Sequence, residues 1–506
     1  MKNNHRPDLQ RVLEAKAAVS DQARADKLKR KRAGGGWTAR EAIAALSDAG
    51  SFVEYGALVR PGTKDMEGAA DGLVAGTAMQ DGAPVAIAAY DYTVYGGSQS
   101  AMNHRKLSRI VEHAAAARVP LITWLEGGGG RPQDMLLAAR GATTSLVAFA
   151  RLSGLVPTVG IVPGPAFAGH ANLAGMSDLL IATGKATIGL AGPPLVQAAL
   201  GVKLTPEEIG PVQTHVATGV IDVLVDDEAA AVASARQYLT YFRPVAGPFA
   251  PSIEVADQTL LRDLVPDNPR RAYDVRKVIN TLCDTGSVFE IRGLWGRSMV
   301  TCLARMNGRA IGVVANQPSV GAGAIDDQAA RKATRFVQLC DAYDIALLML
   351  CDTPGVMVGP DAEKTGLIRH SARLLSALSN ATTLIMSVVL RKAYGLGHYI
   401  MGSLALEPRI IVAWPSAEFG GMGLEGAVNI IHRKRLASIQ GKEERQAVHA
   451  ELTAELKSAN TALEIAQRFL VDDVIDPADT RAVLCSTLAT WKPEARTGRK
   501  RTIDGY

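Results

Sequence analysis

The sequence predicts an α/β protein in which one domain of about 200 residues occurs twice. Three observations carry this. "KLSRIVEHAAAARVPLITWLE", Lys106 to Glu126, returns as "KATRFVQLCDAYDIALLMLCD", Lys332 to Asp352, at an offset of 332 − 106 = 226 residues. Other echoes follow in the same order. "LSDAGSFVE" is answered by "LCDTGSVFE", "GAPVAIAAYD" by "GRAIGVVANQ", and "KATIGLAGP" by "SAEFGGMGLEG". "GPAFAGHANL" is answered by "RKAYGLGHYIM", so that Gly169-His170 faces Gly397-His398. Short apolar runs alternate with helical spacing throughout, as a mostly parallel sheet with packed helices requires. Two amphipathic helices can look alike by chance; an ordered series does not arise that way.

The elements follow in chain order. Residues 1 to about 50 are polar and helical, and "TARE" (Thr38 to Glu41) is a capping box that starts a helix with Ile43 and Leu46 on its apolar face. "GAPVAIAAYD" and "VPLITWLE" read as strands on either side of the helical "HRKLSRIVEHAAAAR", a right-handed β-α-β crossover. "VPTVGIVPGP" is a further buried strand. It ends at Val162, and small residues then open a helix near Ala168-Gly169. "DLLIATGKATIGLAGP" adds two short strands. The Pro-rich "RPVAGPFAPSIEVADQ" and "VPDNPRRAYD" read as a linker, after which the order begins again. The expected domains are residues 1–250 and 251–506.

Composition narrows the function classes. At 506 residues the chain exceeds one ordinary core, and 47% hydrophobic with 21% charged residues is globular rather than disordered. A net charge of +5 makes no case for nucleic acid. The basic run "KLKRKR", Lys27 to Arg32, reads as a solvated helix face, with attraction of an anionic ligand or partner domain as the sharper alternative. The five cysteines are scattered without a C-x-x-C pair, which argues against a zinc ribbon or redox motif and for a reducing compartment. No apolar run approaches the ~20 residues of a membrane span, and no signal-type apolar region opens the chain. The expectation is a soluble, cytoplasmic protein with no metal and no membrane contact.

Three glycine features could carry chemistry. Gly127 to Gly130 in "LEGGGGRP" close a buried strand; the stretch is either a tight turn or an anion site of bare amides. "GPAFAGHANLAGMSD" places small residues at a helix start, where amides point outward with partial positive charge; close helix packing is the alternative. "RKAYGLGHYIMG" repeats that pattern, and its lone G-x-G is a weak dinucleotide signal. There is no G-x-S-x-G elbow, no Walker loop and no clustered metal ligand set. Paired amide sites without an obvious base point to an oxyanion such as an enolate, with the proton acceptor supplied by a cofactor.

These residues resemble the carboxyltransferase (β) subunit of biotin-dependent acyl-CoA carboxylases of the propionyl-, methylcrotonyl- and geranyl-CoA type. The likeness runs from "GGGWTAREAIAALSDAGSFVEYG" to "EFGGMGLEGAV" and is sharpest in "DYTVYGGSQSAMNHRKLSRIVEHA", "VVANQPSVGAGAIDDQAARKATRFVQLCDAYDIALLMLCDTPGV" and "RKAYGLGHYIMG". It implies two tandem crotonase-like (ClpP/crotonase superfamily) domains related by duplication, the first cradling acyl-CoA and the second biotin. It further implies that carboxybiotin releases CO₂, that the ureido nitrogen takes the α-proton, and that the enolate attacks CO₂. Carried over by motif, catalytic amides fall on Ala168 and Gly169, with Gly128, Gly129 and Gly130 as the nearby substrate loop. The second set falls on Leu396 and Gly397, with Gly395, Leu396 and Gly397 holding biotin and Tyr399 lining the acyl pocket. The first loop commonly reads Asp-Ser-Gly-Gly-Ala-Arg in this family; here it is Glu126-Gly127-Gly128-Gly129-Gly130-Arg131. Propionyl-type members close the second motif with Asp, where Tyr399 stands. No biotinyl Met-Lys-Met site and no ATP-grasp signature are present, so a separate biotin carboxylase and biotin carboxyl carrier are implied. So are dimers with composite sites, usually within a hexamer. A biotin-dependent acyl-CoA decarboxylase subunit and a non-catalytic assembly subunit share the fold and remain alternatives.

Overall fold

The computed structural model describes residues 6–63, 65–134, 144–243, 253–493 and 502–504. Two compact units divide the chain between Arg243 and Pro244. Residues 502–504 belong to the first unit, where Ile503 N–H donates to Ser153 Oγ at 2.9 Å.

The first unit is built on a seven-stranded sheet in the order β1-β2-β3-β4-β5-β7-β9. The strands are β1 (Val53–Tyr55), β2 (Leu73–Gln80), β3 (Ala83–Tyr90), β4 (Leu121–Trp124), β5 (Thr158–Val162), β7 (Leu179–Thr183) and β9 (Val223–Val225). A separate pair, β6 (Pro165–Phe167) and β8 (Thr187–Gly189), lies beyond β5 and β7 in the chain. The second unit repeats the plan as β10 (Phe289–Glu290), β11 (Met299–Met306), β12 (Arg309–Asn316), β13 (Ala346–Thr353), β14 (Ile385–Tyr394), β15 (Ile410–Ala413) and β17 (Asp473–Val474). β16 (Glu418–Gly420) pairs with the extended end of β14. In both sheets the first three strands are antiparallel and the rest parallel.

The expected crossover is present: the helix Ala101–Ala117 joins β3 to β4, and Asp327–Ala342 joins β12 to β13. Thr38 caps the helix Ala39–Leu46 with Glu41 in a full capping box, and Ile43 and Leu46 are buried. The recurring lysine that marks the repeat is itself structural. Lys106 Nζ donates to the carbonyls of Ala70 (3.0 Å) and Leu73, and Lys332 Nζ to those of Trp295 (3.0 Å) and Met299 (2.7 Å). Each ties a crossover helix to the start of an antiparallel strand. Burial lowers the two ammonium groups, to about 8 and about 7.

The linker expectation is corrected in part. "RPVAGPFAP" lies mostly outside the described residues. "VPDNPRRAYD", however, is packed: its Val265 and Tyr273 join the core of the second unit. The carbonyls of Asn268 and Arg271 accept from Arg391 Nη1 at 3.2 and 3.0 Å. Proline and charge mark an irregular backbone, not an unpacked one.

Candidate active site

β4 delivers Glu126 and the glycine turn to the carboxyl end of the first sheet, the usual place for a ligand in an open α/β sheet. Gly127 N–H donates to the Pro165 carbonyl (2.7 Å) and Phe167 N–H to the Gly127 carbonyl (2.9 Å), which fixes the turn against β6. On its other side Gln99 N–H donates to the Gly129 carbonyl and Arg131 N–H to the Gln99 carbonyl. Arg131, buried, ends the turn in an ion pair with Asp71 at 2.6 Å. A side chain at Gly127 has no room: a Cβ there would lie 2.3 Å from the Gly97 carbonyl oxygen and 2.7 Å from His170 Cε1. His170 is wholly buried edge-on against Tyr90, and burial lowers its imidazole to about 4.

The structure corrects the expectation for Ala168. Its N–H donates to the Gly189 carbonyl at 2.9 Å and is not presented to a ligand. Ala168 instead makes the turn. Its φ of 53° and ψ of −116° are strained for a residue with a Cβ. They aim the next amides, from Gly169 onward, out of the helix Gly169–Met176. The Gly169, Gly129 and Gly130 N–H groups have no acceptor among the described residues, whereas Gly128 N–H donates to the Gly96 carbonyl. Gly129 and Ala168 are neighbours, since a Cβ on Gly129 would lie 2.9 Å from that of Ala168.

In the second unit β13 delivers Asp352 and Thr353. The parallel bridges Gln99–Gly130 and Ile325–Val356 keep the offset of 226 through the turn. Past it the registers Trp124–Ile161 and Leu350–Val388 differ by one residue. Ala168 therefore corresponds to Gly395, which has a φ of 55°, Gly169 to Leu396, and His170 to Gly397. The pairing of Gly169-His170 with Gly397-His398 was a coincidence of dipeptides. The amides of Leu396 and Gly397 have no acceptor among the described residues, whereas Gly395, like Ala168, follows directly on a parallel strand pair, Tyr394 with Gly420. Leu396 and Tyr399 are about half exposed on the helix Gly395–Ile400. Gly421, whose carbonyl oxygen lies 2.9 Å from the Cβ position of Gly395, lines an apolar hollow of about 350 Å³ with Gly420, Met422, Leu424 and Ile430.

The basic run forms the helix Ala25–Ala33, and one of its residues is neither solvated nor free. Lys31 Nζ reaches both oxygens of Glu126, at 2.5 and 2.7 Å. That pair, 95 residues apart in the chain, had no signal in the sequence beyond the charge run itself. It walls a cavity of about 520 Å³ whose cations, Lys27, Arg30, Lys31 and Lys185, are matched by Glu126, Glu207, Asp226, Asp227 and Glu228. The cavity is therefore no anion funnel. Among the described residues no group of three or more His, Cys, Asp or Glu is placed to hold a metal, and no helix is long and apolar enough to cross a membrane.

The carboxyl transferase domain model matches residues 30–503. The chain belongs to the carboxyl transferase family. It is 38% identical over 471 residues to the methylmalonyl-CoA carboxyltransferase 12S subunit of Propionibacterium freudenreichii subsp. shermanii, covering 91% of this chain and 89% of that one. It is 34% identical over 468 residues to the propionyl-CoA carboxylase beta chain of Roseobacter denitrificans, covering 90% of each. The crystal structure of transcarboxylase 12S, described as a hexamer assembly with methylmalonyl-CoA bound, superposes with a TM-score of 0.88 over 99% of each chain at 34% identity. A single-chain, multi-domain long-chain acyl-CoA carboxylase matches at 0.89 and 40% identity over 96% of this chain, which spans about half of that protein's length. The expected fold, two crotonase-like halves, stands, and so does the activity class: the chain is a carboxyltransferase of the biotin-dependent acyl-CoA carboxylase family.

Proposed function

We propose that this carboxyltransferase moves a carboxyl group between biotin, borne on a partner subunit, and the α (or vinylogous) carbon of an acyl-CoA, with one amide site in each unit. The observation that supports this is the pair of unpartnered amide clusters, Gly169 with Gly129 in one unit and Leu396 with Gly397 in the other. Bound carboxybiotin supplies the carboxyl group and a basic ureido nitrogen. Gly169 and Gly129 N–H groups would hold the thioester oxygen as charge grows on it at enolisation, with Gly128 and Gly130 shaping the approach. Leu396 and Gly397 N–H groups would hold the ureido oxygen, with Gly395 turning the chain toward it and Tyr399 bordering the acyl group. An amide preorganised toward such an oxygen contributes about 2.7–4 kcal/mol to holding the enolate charge. His170 and His398 are poor bases, since burial lowers both imidazoles to about 4.

The reading includes a biotin carboxylase and carrier as partners, a homo-oligomer with composite sites, a hexamer as described for transcarboxylase 12S, and a cytoplasmic setting. The purified chain is tested with methylmalonyl-, malonyl- and long-chain 2-carboxyacyl-CoA as donors and free biocytin as acceptor. Carboxybiocytin formed from at least one donor is the expected product; none from any donor overturns the reading.

A further inference from the structure

Glu126 and Asp352 occupy equivalent ends of β4 and β13, and each is a buried carboxylate that must be neutralised. In the second unit the cation comes from the next strand: Arg391 Nε lies 3.0 Å from Asp352 Oδ2, with Lys392 Nζ at 3.6 Å from Oδ1. The residue matching Arg391 in the first unit is Gly164. A Cβ there would lie 2.8 Å from Glu126 Oε1, so Gly164 leaves the space to that carboxylate and supplies no local cation. Lys31 fills the gap from the N-terminal helix, with the Lys31 and Glu126 side chains 15% and 5% exposed. Two turns earlier, Arg24 Nη1 meets Asp91 at the end of β3 at 2.8 Å, also buried. The matching residue in the second unit is the neutral Gln317. The N-terminal segment thus pins the ends of two adjacent strands, from one of which the glycine turn departs.

Resting on the reading of that turn as the thioester site, we propose that Lys31 is a positioning residue: by holding Glu126 it fixes the Gly127–Gly130 turn and, with it, the Gly129 amide. Breaking one partner of a buried pair leaves an orphan charge that destabilises any fold, so the single variant cannot separate position from stability. The informative variant is Lys31→Met/Glu126→Gln, which has no orphan charge and no tether. Lys31→Arg keeps both. In the full-length protein, the double variant is expected to melt within a few degrees of wild type. Its KM for methylmalonyl-CoA should rise about tenfold with biocytin as acceptor, while the KM for biocytin changes less than twofold. Lys31→Arg is expected to restore the methylmalonyl-CoA KM to within threefold. Amide exchange of peptides covering 126–131 should quicken in the double variant at least fivefold. This readout needs no turnover, so it separates failure of the tether from failure of the functional reading. A folded double variant with wild-type exchange in that turn, or one in which both KM values rise together, overturns the proposal.

Discussion

Glu126-Gly127 and Asp352-Thr353 stand at one place in the two units, and their surroundings are filled from opposite directions. In the first unit the turn contributes a glycine and the following helix contributes His170, which packs over it. In the second the turn contributes Thr353 and the helix contributes Gly397, whose Cβ position lies 3.0 Å from Thr353 Cγ2. The charge is exchanged in the same manner, Gly164 with a distant Lys31 against Arg391 in place. Duplication has kept a buried, neutralised carboxylate at each site but not the residue that neutralises it. Because close packing tolerates neither gap nor overlap, the substitutions at these positions come in complementary pairs.

The largest effect that could break this comparison is at Gly397. A Cβ there meets Gly355 Cα at 2.6 Å, a backbone contact that cannot yield. Gly397→Val is expected to abolish carboxyl transfer, by more than a hundredfold, together with a lowered melting temperature. At Gly169 the atoms nearest to the new one are those of the Gln99 side-chain amide, not backbone. Gly169→Val is expected to keep the fold and lose about tenfold in propionyl-CoA affinity by calorimetry. Equal thermal losses in the two variants would mean the halves are packed alike after all.

Next in size is the exchanged pair itself. Gly127→Thr should cost about 3 kcal/mol, by crowding both the Gly97 carbonyl and His170, and Gly127→Thr/His170→Gly, which relieves only the second contact, should cost about 1 kcal/mol less than the sum of its singles in denaturant unfolding. Additive losses would show that the two positions do not share one space.

The buried imidazoles give a pH signature. Burial holds His170 and His398 at about 4, against 6.5 unfolded, so the unfolded chain binds more protons between those values. Stability should therefore fall as pH is lowered from about 6.5 toward 4, by at most about 1.4 kcal/mol per pH unit for each ring. His170→Leu should flatten the slope of the first unit only. A melting profile unchanged by that substitution between pH 5 and 7 would contradict a neutral, buried His170.

The smallest effect is at the strained turn. Ala168→Gly should stabilise by up to about 1 kcal/mol, because φ of 53° suits glycine better than alanine. Gly395→Ala should destabilise, since its Cβ would lie 2.9 Å from the Gly421 carbonyl oxygen. Thermal unfolding of the two variants decides it; shifts of the same sign would refute the equivalence of the two turns.

Much of this architecture was legible in the sequence because its signals are local or periodic. The 226-residue offset survives through β3, the crossover helix and the turn, so Lys106 and Lys332 announce the repeat directly. Beyond the turn one added residue shifts the register, and the dipeptides Gly169-His170 and Gly397-His398 mask it; only strand pairing and positive φ reveal it. That the Ala168 N–H is already spent depends on β8, expected as a strand, pairing with β6, and no motif reports which strands pair. Lys31 and Glu126 meet across 95 residues, a contact that charge patterning along one helix cannot foresee. Tyr273 and Val265 look like linker because composition records polarity and proline but not which residues a core takes in.

The bond between Ser153 and Ile503 links residues 350 positions apart, with the whole second unit made in between. On a translating ribosome, at about 5–20 residues per second, the first unit waits roughly 20–70 s after Ser153 emerges before this last piece exists. A nascent chain halted near Arg243 therefore presents the Ser153 hydroxyl without its backbone donor. Ribosome-bound chains stalled on either side of Ile503 would report, by protease cleavage around Ser153, when that edge closes.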